Sequence, residues 1–330
     1  MYGLSWRRVV VAHNPVSDAD DPSTRDVLDQ VAFVVEGLRG LDLPFETVAV
    51  GGAADVRPLD PGAVLFNLVE SPPGRPRAQI EVATAWEEAG VPFTGSAADV
   101  LWLTTDKVAT RELLAAAGLP VAPGAVVDPE LDGSLDGVPP PWILKPAWED
   151  ASLGLEGDPL CRTPVEVRQR AEALGRRFPG QPLLAEHFLP GREFNLTVLE
   201  DAGGARVLPV AEMRYVDFPA SEPRVLGYEA KWNTDSFAYG HTVRAFPDPA
   251  GEGEMLAELE RLALGAWGEC GVRGYARVDL RLDEQGDPAI LEINANPCLS
   301  GDAGFVAATA HGGLGPAEVV GRILAAAARS

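Results

Sequence analysis

The stretch GYARVDLRLDEQGDPAILEINANP, at residues 274–297, constrains the fold more than any other part of this chain. Apolar and polar residues alternate in it twice, over 276–282 and over 289–294, with Ile290 as the exception. Strict alternation predicts two half-buried β-strands. The intervening DEQGDP is rich in residues that favour turns, so the whole stretch predicts a β-hairpin.

The polar face of this hairpin carries an unusual set of side chains. If the turn centres on residues 285–286, Asp279 lies opposite Glu292. The same register places Arg277 opposite Asn294. Opposed carboxylates repel each other, and a divalent cation between them removes that cost. Because carboxylate and amide oxygens suit Mg²⁺, the pattern predicts a Mg²⁺–nucleotide site at Asp279, Glu292 and Asn294. The alternative is a solvated polar face.

Length and charge limit the classes of protein to which this chain can belong. Its 330 residues are 46% hydrophobic, which predicts a globular chain of two or three domains. No segment approaches the ~18 apolar residues of a membrane span, so we expect no membrane partner and a cytoplasmic location. The net charge of −22, from 49 acidic and 27 basic residues, argues against a nucleic-acid partner.

The three cysteines, Cys161, Cys270 and Cys298, are far apart and show no paired spacing. This pattern argues against a disulfide framework and against a zinc site. Cys298 adjoins the acidic hairpin, so it is either a reactive thiol or a packed small hydrophobic residue.

The N-terminal third alternates between strand and helix patterns. This alternation predicts an open α/β sheet domain that extends to about residue 103. The domain lacks a Gly-rich dinucleotide fingerprint, and no GxxxxGK[ST] phosphate loop occurs anywhere in the chain. Strands are predicted at 6–12, 45–50, 63–70 and 91–96, and helices at 26–40 and 77–90.

A second unit begins with a helix that Thr104 or Thr105 caps and that Gly118 ends. Residues 149–157 form a loop of small residues, and residues 221–241 show no clear period. So long an irregular segment predicts a functional lid or a disordered segment. The same rules predict a strand at 141–147, a helix at 163–178, two strands within 182–200, a helix at 254–271 and a terminal helix at 315–330.

Three lysines stand at informative places in these elements. Lys107 begins a helix, Lys145 ends a buried strand and Lys231 lies in the predicted lid. Each of them, taken alone, is more often a solvated surface charge. Lys145 is the least ordinary, because a lysine that emerges from so apolar a strand needs a partner or an edge position.

With these residues in view, the sequence resembles the ATP-grasp superfamily and, within it, the D-alanine–D-alanine ligase family. The resemblance runs from about residue 60 to the C-terminus and is weak before that. Five segments carry it, in the family's order: VPFTGSAADVLWLTTDKVATRELLAAAGLPVAP (91–123), PWILKPAWEDASLG (141–154), LLAEHFLPGREFNLTV (183–198), GYEAKW (227–232) and the hairpin at 274–297.

The resemblance implies a mixed α/β and α+β architecture. It is an ATP-grasp fold preceded by an open α/β (pre-ATP-grasp) domain. The implied divisions are an N-terminal substrate domain at 1–103, a central ATP-grasp subdomain at 104–181, and a C-terminal subdomain at 182–330 with its lid at 221–241.

The resemblance also implies roles for individual residues in binding ATP and Mg²⁺, with Mn²⁺ as an alternative ion. The phosphates would be neutralised by lysines and covered by backbone donors near Ser152. Glu186 would accept from the adenine amino group, and Glu193 would bind the ribose hydroxyls. The remaining roles fall to Lys107, Lys145 and Lys231 at the phosphates, the backbone of Phe188 and Leu189 at the adenine, and Asp279, Glu292 and Asn294 at the metal.

The implied reaction is the activation of a carboxylate by ATP. An acyl phosphate forms first, and an amine then displaces phosphate to make an amide or peptide bond. Lys145 and Lys231 would neutralise charge on the transferring phosphoryl group. Arg277 would stabilise the oxyanion that forms as the amine adds.

The chain departs from the family's pattern at several positions. The family's N-terminal glutamate has no match in 11–26, and its His-Gly segment is replaced by FNLVES (66–71), which keeps only an acidic residue, Glu70. A serine of the phosphate loop becomes Ala151, and a tyrosine after the lid lysine becomes Trp232. The family's Ser-Leu pair after the metal motif is replaced by CLSGDAG at 298–304.

These departures cluster where substrate would be bound, whereas the retained residues cluster on ATP and metal. The pattern therefore predicts the same chemistry on a different substrate, with Asn67, Glu70, Ser300 and Asp302 as candidate substrate contacts. Each of these is otherwise a polar loop residue or, for Asn67, a strand cap.

Three functions stay open at this point. The first is a ligase that acts on amino acids or a small peptide other than D-alanine. The second is a true D-alanine–D-alanine ligase with divergent substrate loops. The third is a nucleotide-binding regulatory protein without turnover, against which the retained Arg277 and metal ligands speak. The family's tendency toward dimers implies a homodimer.

Overall fold

The computed structural model describes residues 5–17, 22–127, 135–219 and 222–328. Its N-terminal part is a parallel sheet in the order β2-β1-β3, and β3 is buried along its whole length. A parallel sheet covered on both faces favours such continuous apolar strands. The elements are β1 (Arg8–His13), α1 (Pro22–Arg25), α2 (Val27–Gly40), β2 (Phe45–Ala49), a 3₁₀ turn (Ala53–Asp55), β3 (Ala63–Leu68) and α3 (Ala78–Glu88).

The strand predicted at 91–96 is wrong. Only a single parallel bridge to β3, at Phe93, is present. Pro92 has no N–H to donate to a ladder. The backbone N–H of Asn67, in β3, donates to the hydroxyl of Thr94 at 3.0 Å and not to a backbone carbonyl. The segment therefore runs beside β3 without extending the sheet.

The helix cap predicted at Thr104 or Thr105 is also wrong. Both threonines end α4 (Ala98–Thr105), and their hydroxyls donate to carbonyls one turn back in that helix. Asp106 caps α5 (Lys107–Ala116), where its carboxylate accepts two backbone N–H groups at 3.1 Å. Aspartate is at least as good an N-cap residue as threonine, so the sequence contains two possible helix starts. The helix begins after the second of them, Asp106.

The middle of the chain forms a four-stranded antiparallel sheet in the order β4-β7-β5-β6. The predicted helix at 163–178 is confirmed, with Thr163 and Glu166 in a capping box and Pro164 in the first turn. This helix packs against β5 and closes a small core of its own. The elements are β4 (Gly124–Val127), β5 (Trp142–Pro146), β6 (Leu160–Cys161), α6 (Pro164–Arg177) and β7 (Leu183–His187).

The C-terminal part is built on a larger antiparallel sheet in the order β11-β10-β8-β12-β13, with β9 paired to β8. The sequence pattern did not predict β9, β10, β11 or α10, because short elements show too few residues for a period. The elements are β8 (Glu193–Asp201), β9 (Gly204–Val207), β10 (Ala211–Tyr215), α7 (Tyr228–Trp232), α8 (Phe237–His241), β11 (Thr242–Ala245), α9 (Pro249–Glu269), β12 (Tyr275–Leu282), β13 (Pro288–Asn294), α10 (Gly304–His311) and α11 (Pro316–Ala327).

The hairpin of β12 and β13 confirms the predicted register. Asp279 lies opposite Glu292, and Arg277 lies opposite Asn294. The other face of β12 packs on α9 in the largest apolar core, which leaves the face with these four side chains free for a site.

A β-bulge after Asp279 explains the one break in the alternation of β13. The pairing shifts there by one residue, so Leu291 is the extra residue of the bulged strand. The shift returns Ile290 to the core face, where it is 2% exposed. An apolar residue at what looked like a polar position is therefore required by the fold.

Two further features of the fold bear on function. α11 packs on α2, which joins the N-terminal sheet to the C-terminal part in one core. The described part of the predicted lid, from residue 222, contains the short helices α7 and α8. Among the helices of the described residues, none combines the length and the apolar character needed to cross a membrane.

Candidate active site

The structure brings the three predicted lysines to the predicted metal ligand Glu292. Lys107, at the start of α5, places its Nζ 3.9 Å from Glu292 Oε2. Lys145, at the end of β5, and Lys231, in α7, also act on the Glu292 carboxylate through their charges.

 

Counted along the chain, Glu292 is 185 residues from Lys107, 147 from Lys145 and 61 from Lys231. No local sequence pattern links residues so far apart. Only the packing of α5, β5 and the lid against the hairpin brings their charges together.

Glu292 is ionised in this setting. Burial alone would raise the pKa of its carboxyl, but the surrounding cations hold that pKa at about 2. Besides the three lysines, the cations include Arg277, whose Nη2 lies 3.8 Å from Glu292 Oε1. The cluster concentrates four cationic side chains in one part of a strongly acidic chain, which a polyphosphate requires.

Asp279 is held by side chains of its own sheet. Arg277 donates from Nε and Nη2 to the two Asp279 oxygens, both at 2.8 Å. Asn195, opposite Asp279 on β8, donates to Oδ1 at 2.8 Å. Burial raises the pKa of Asp279, and Arg277 opposes that rise. The bidentate contact is the strongest arrangement that an arginine and a carboxylate can adopt.

The donor set at this face fits Mg²⁺ in its chemistry. Asp279 and Glu292 supply carboxylate oxygens, and Asn294 supplies an amide oxygen that also accepts the Asn296 N–H at 2.9 Å. Within the described ranges, no cluster of three or more His, Cys, Asp or Glu side chains that could hold a metal occurs. Two carboxylates with one amide agree with the way Mg²⁺ is usually held, through few protein ligands and phosphate oxygens.

Lys107 is 8% exposed and is anchored at the start of α5. Its Nζ donates to the Glu149 carbonyl at 2.6 Å and lies 3.4 Å from Asp150 Oδ1. Burial would lower the pKa of Lys107, but Asp150 and Glu292 raise it above its usual value. The lysine therefore remains charged.

Lys145 has the partner that its apolar strand predicted. Its Nζ lies 2.5 Å from Glu186 Oε2, on the neighbouring strand β7. Both side chains are nearly buried, so each charge depends on the other.

Lys231 lies in the lid, and its environment differs from that of the other two lysines. Burial and the nearby Arg277 lower the pKa of Lys231, and Glu292 and Asp279 oppose them. A lysine held near another cation gains more than the others from an added anion.

The loop after β5 has a strained backbone. Ala151 and Ser152 have φ angles of +56° and +62°, in the left-handed region that costs a non-glycine residue about 1 kcal/mol or more. The Ser152 hydroxyl donates to the Leu226 carbonyl at 2.8 Å, which ties this loop to the lid segment.

An apolar surface lies between the two antiparallel sheets. Ala122, Leu189 and Ala289 are buried together, and Leu291 packs against them. The bulge in β13 helps to place Leu291 there. The N–H of Phe188 donates to the Pro141 carbonyl at 2.8 Å. Sequence reasoning missed the alanines, because small apolar residues give no signal by themselves.

Glu193 is buried between two partners. The Tyr215 hydroxyl donates to Glu193 Oε2 at 2.7 Å, and Arg281 Nη1 donates to the same oxygen at 2.9 Å. The Arg281 guanidinium also lies over the Phe188 ring, 4.7 Å from its centroid. Sequence reasoning gave Arg281 no role, although the alternation of β12 placed it on the same face as Asp279.

Two predicted substrate residues lie at the end of β3. Asn67 is 3% exposed, and its side-chain oxygen accepts the Val69 N–H at 2.9 Å, as a strand cap does. Glu70 accepts a hydrogen bond from Gln30 at 2.9 Å. Burial raises the pKa of Glu70 to about 7, and the charges of Asp26 and Asp150 act in the same direction.

The other two predicted substrate residues lie in the loop after β13. The Ser300 hydroxyl donates to Asp302 Oδ1 at 3.0 Å, and the Cys298 thiol donates to Asp26 at 2.8 Å. Burial and the Asp26 charge raise the pKa of Cys298, so it remains a thiol. A reactive thiolate at Cys298 is therefore not supported.

A cavity of about 320 Å³ separates the lid from the N-terminal helices. Of the four predicted substrate residues, Asp302 lines it. The lid contributes Lys231, Thr234 and Tyr239, and the opposite wall contributes further carboxylates, at Asp26 and Asp29.

Comparison with known proteins gives three kinds of similarity. A family profile described as "D-ala D-ala ligase C-terminus" matches residues 113–325. A D-alanine–D-alanine ligase of Gluconobacter oxydans is 34% identical over 238 residues, which cover 72% of this chain and 71% of that protein. An uncharacterized protein of Sinorhizobium fredii is 32% identical over 266 residues, which cover 81% of this chain and 75% of that protein.

Among solved structures, the fold is similar to that of a D-alanine–D-alanine ligase from Bacillus anthracis complexed with ATP. The TM-score is 0.76 at 16% identity, and the match covers 98% of both chains. At this identity the likeness concerns the fold alone.

Proposed function

This chain belongs to the D-alanine–D-alanine ligase family of ATP-grasp enzymes, and we propose that it is an ATP- and Mg²⁺-dependent carboxylate–amine ligase. It forms an amide or peptide bond between amino acids, or on a small peptide, through an acyl phosphate. The observation that carries this proposal is the convergence of Lys107, Lys145 and Lys231 on the carboxylate of Glu292.

The nucleotide would lie between the two antiparallel sheets. The three lysines neutralise its phosphates, and the strained loop at Ser152 covers them with backbone donors. The adenine amino group donates to Glu186, and the purine ring packs on the apolar surface around Leu189. Phe188 and Leu189 offer backbone groups to the ring edge. The ribose hydroxyls donate to Glu193 through Oε1, because Oε2 already accepts from two side chains.

Asp279, Glu292 and Asn294 would hold Mg²⁺, with Mn²⁺ as an alternative ion. Bound there, the ion supplies charge neutralisation to phosphate oxygens. Arg277 at present occupies both oxygens of Asp279, so it is the side chain that must share this carboxylate with an ion.

The reaction proceeds in two displacements. A carboxylate oxygen of the first substrate bonds to the γ-phosphorus of ATP, and ADP leaves. The amine nitrogen of the second substrate then bonds to the acyl carbon, phosphate leaves and the nitrogen loses a proton. Lys145 and Lys231 stabilise charge in the first step, and Arg277 stabilises the oxyanion in the second. Closure of the lid keeps water from the acyl phosphate.

The substrate contacts fall on the side of the site that faces the N-terminal helices. We assign Asn67, Glu70, Ser300 and Asp302 to this side. Glu70 and Asp302 are suited to ammonium groups because each offers a carboxylate. Glu70 would become fully ionised when a cation binds beside it, since a nearby positive charge lowers the pKa of a carboxyl group.

Two other functions have specific support. A true D-alanine–D-alanine ligase is favoured by the printed names of several relatives, including one from Granulibacter bethesdensis that is 31% identical over 310 residues. The departures at 66–71 and 298–304 speak against it. A non-catalytic nucleotide-binding regulatory protein is the third candidate, and the intact pair of Arg277 and Asp279 speaks against that one.

The test is phosphate release from Mg²⁺–ATP by the purified full chain. A panel of D- and L-amino acids and dipeptides is offered singly and in pairs. Release that requires a particular pair supports the ligase and identifies its substrates. Release with D-alanine alone favours the second candidate. Tight ATP binding without release for any pair counts against the ligase and favours the regulatory protein.

The same proposal includes the organisation of the chain. We assign residues 1–103 to a substrate domain, 104–181 to a central ATP-grasp subdomain and 182–330 to a C-terminal subdomain whose lid is 221–241. A homodimer stays a prediction, which light scattering of the purified chain tests.

A further inference from the structure

Arg281, in β12, contacts two parts of the candidate site at once. Its side chain is 4% exposed. Nη1 donates to Glu193 Oε2 at 2.9 Å, and Nη2 donates to the backbone carbonyl of Arg224, in the lid. Hydrogen bonds from a charged donor are roughly twice as strong as neutral ones. One buried side chain therefore holds Glu193 and the lid in a fixed relation.

The first described segment of the lid is held by a second side chain as well. The Ser152 hydroxyl donates to the Leu226 carbonyl at 2.8 Å, two residues after Arg224. Gly227 follows, and a Cβ built on it would lie 2.9 Å from the Leu155 carbonyl oxygen. Glycine allows so close an approach because it has no Cβ. The start of the lid therefore lies directly against the loop after β5.

The end of the lid is connected to Glu193 through aromatic side chains. The Tyr215 hydroxyl donates to Glu193 Oε2 at 2.7 Å. The Tyr215 ring meets the Phe218 ring edge-on, with the centroids 5.2 Å apart, and the centroids of Phe218 and Phe237, in α8, are 5.4 Å apart. Such tilted contacts between rings are stabilising beyond the area that they bury. Glu193 is thus linked to α8 as well as to Arg224.

Lys231 lies between these two connections. It follows Arg224 by seven residues and precedes Phe237 by six. The helix α7 that carries it has five residues, and so short a helix is not stable by itself. The contacts at Arg224 and Phe237 therefore determine where the Lys231 ammonium group can reach.

The two oxygens of Glu193 are used unequally. Tyr215 and Arg281 both donate to Oε2, and neither donates to Oε1. The terminal torsion of a glutamate is broad, so a carboxylate held through one oxygen keeps some freedom to rotate. Hydroxyl groups that donate to Oε1 remove that freedom and strengthen the contacts at Oε2. By linkage, the closed lid then favours the binding of those hydroxyls to the same extent.

Arg281 Nε is a buried donor that has no partner among the described residues. Buried polar groups are nearly always paired in folded proteins, so this exception needs a reason. A sugar hydroxyl both donates and accepts hydrogen bonds. Its chemistry therefore matches a carboxylate and an unpaired guanidinium N–H that lie side by side.

We propose that Arg281 and Tyr215 are positioning residues that couple the ribose hydroxyls of the nucleotide to closure of the lid, through Glu193. This inference rests on the proposed nucleotide site and deepens it. The hydroxyls then increase the rate as well as the affinity, because closure brings Lys231 to the phosphates and keeps water from the acyl phosphate. A nucleotide without these hydroxyls binds but leaves the lid open for more of the time.

Hydrogen exchange of the lid amides in the full chain tests this coupling. Exchange at residues 222–241 is measured without nucleotide, with Mg²⁺–ADP and with Mg²⁺–2′,3′-dideoxy-ADP, each nucleotide at a concentration that saturates the protein. ADP should slow the exchange by about tenfold. Dideoxy-ADP should leave it close to the rate without nucleotide. Because both nucleotides saturate the protein, this difference does not arise from affinity.

Substitutions at the two donors test the route of the coupling. Arg281→Met should remove the difference between the two nucleotides. Arg281→Lys should keep part of it, because an ammonium group still donates to one of the two acceptors. Tyr215→Phe retains the ring and should reduce the difference more at 237–241 than at 224–231. Arg281→Lys and Tyr215→Phe decide the question if Arg281→Met does not fold.

Arg214 provides a matched control. It precedes Tyr215 on β10, points to the opposite face of the sheet and pairs with Glu212 at 2.9 Å. Arg214→Met should keep the difference between ADP and dideoxy-ADP.

Each outcome decides the proposal. Equal protection of the lid by the two nucleotides in the wild type, no protection by ADP, or an unchanged difference in Arg281→Met would overturn it. Phosphate release separates this result from the ligase proposal. Turnover with 2′,3′-dideoxy-ATP at the kcat reached with ATP overturns the coupling alone. Protection that requires the hydroxyls, without turnover for any substrate pair, supports the coupling and counts against the ligase.

Discussion

The nucleotide side and the substrate side of the candidate site differ in how their charged side chains are paired. On the nucleotide side, which comprises Lys107, Lys145, Glu186, Arg277, Asp279 and Glu292, cations and carboxylates contact one another. On the substrate side, which comprises Asn67, Glu70, Ser300 and Asp302, the described residues show no such contact. Among the described residues, the Glu70 carboxylate accepts a hydrogen bond from the neutral Gln30, and the Asp302 carboxylate accepts one from the neutral Ser300.

The two sides therefore require different properties of the ligand that each one binds. The nucleotide side is neutralised by its own residues, so its geometry exists before ATP binds. The charged groups of the substrate side lack oppositely charged partners among the described residues. A ligand that supplies the opposite charges therefore gains binding free energy there. We expect substitutions on the nucleotide side to cost turnover and stability, and those on the substrate side to alter pH dependence and selectivity.

The largest effect should come from the carboxylates of the hairpin. Asp279→Ala and Glu292→Ala should each lower Mg²⁺-dependent turnover by on the order of a thousandfold or more, because the phosphates lose their metal site. Circular dichroism should show that the fold is intact. Glu258→Gln, at an exposed carboxylate of α9 that pairs with Arg261, is the control and should remain active. Near-native activity in either alanine variant would show that the metal assignment is wrong.

The pair of Lys145 and Glu186 tests whether the nucleotide side compensates itself. Lys145→Met should destabilise the protein by about 3 kcal/mol, because it leaves Glu186 buried without a cation. Adding Glu186→Gln should restore most of the lost free energy of unfolding, as measured by urea denaturation, while ATP binding stays weak. If the double variant is no more stable than Lys145→Met, the two charges do not support each other.

Glu70 tests the substrate side through pH. Its pKa is about 7 in the folded protein and 4.5 in the unfolded chain. Between these values the folded state binds more protons, so stability falls as pH rises. From pH 5 to pH 7 this group should remove about 2 kcal/mol from the free energy of unfolding. Glu70→Gln should flatten the dependence, and an equally steep curve in that variant would place the titration elsewhere.

Arg281 gives the smallest expected effect. Arg281→Met should weaken ATP binding by about tenfold, because Glu193 loses the donor that orients it toward the ribose. Discrimination between ATP and 2′-deoxy-ATP should shrink as well. Arg192→Met removes a comparable ion pair with Glu212 and should leave ATP binding unchanged. Unchanged ATP affinity in Arg281→Met would show that Arg281 has no part in nucleotide binding.

Local sequence patterns predicted many of the structural elements correctly. The register of the hairpin followed from alternation and turn residues, because side chains on a strand must alternate between two faces. The apolar strand of Lys145 predicts either a partner or an edge position for this lysine; β5 lies inside its sheet, and Glu186 is the partner. The helix at 163–178 was signalled by the proline just inside its start. Local pattern failed where two signals competed, as at Thr105 and Asp106, and where Pro92 removed a backbone donor.

The sequence by itself determined which residues share a face of the hairpin and which lysines are unusual, since these depend on neighbours a few positions away. Only the tertiary structure decided that Arg281 holds Glu193 and that the three lysines converge on Glu292. These contacts join strands far apart in the chain, and no local period records them. Their electrostatic cost or gain arises from burial, which exists only once the sheets and helices have packed.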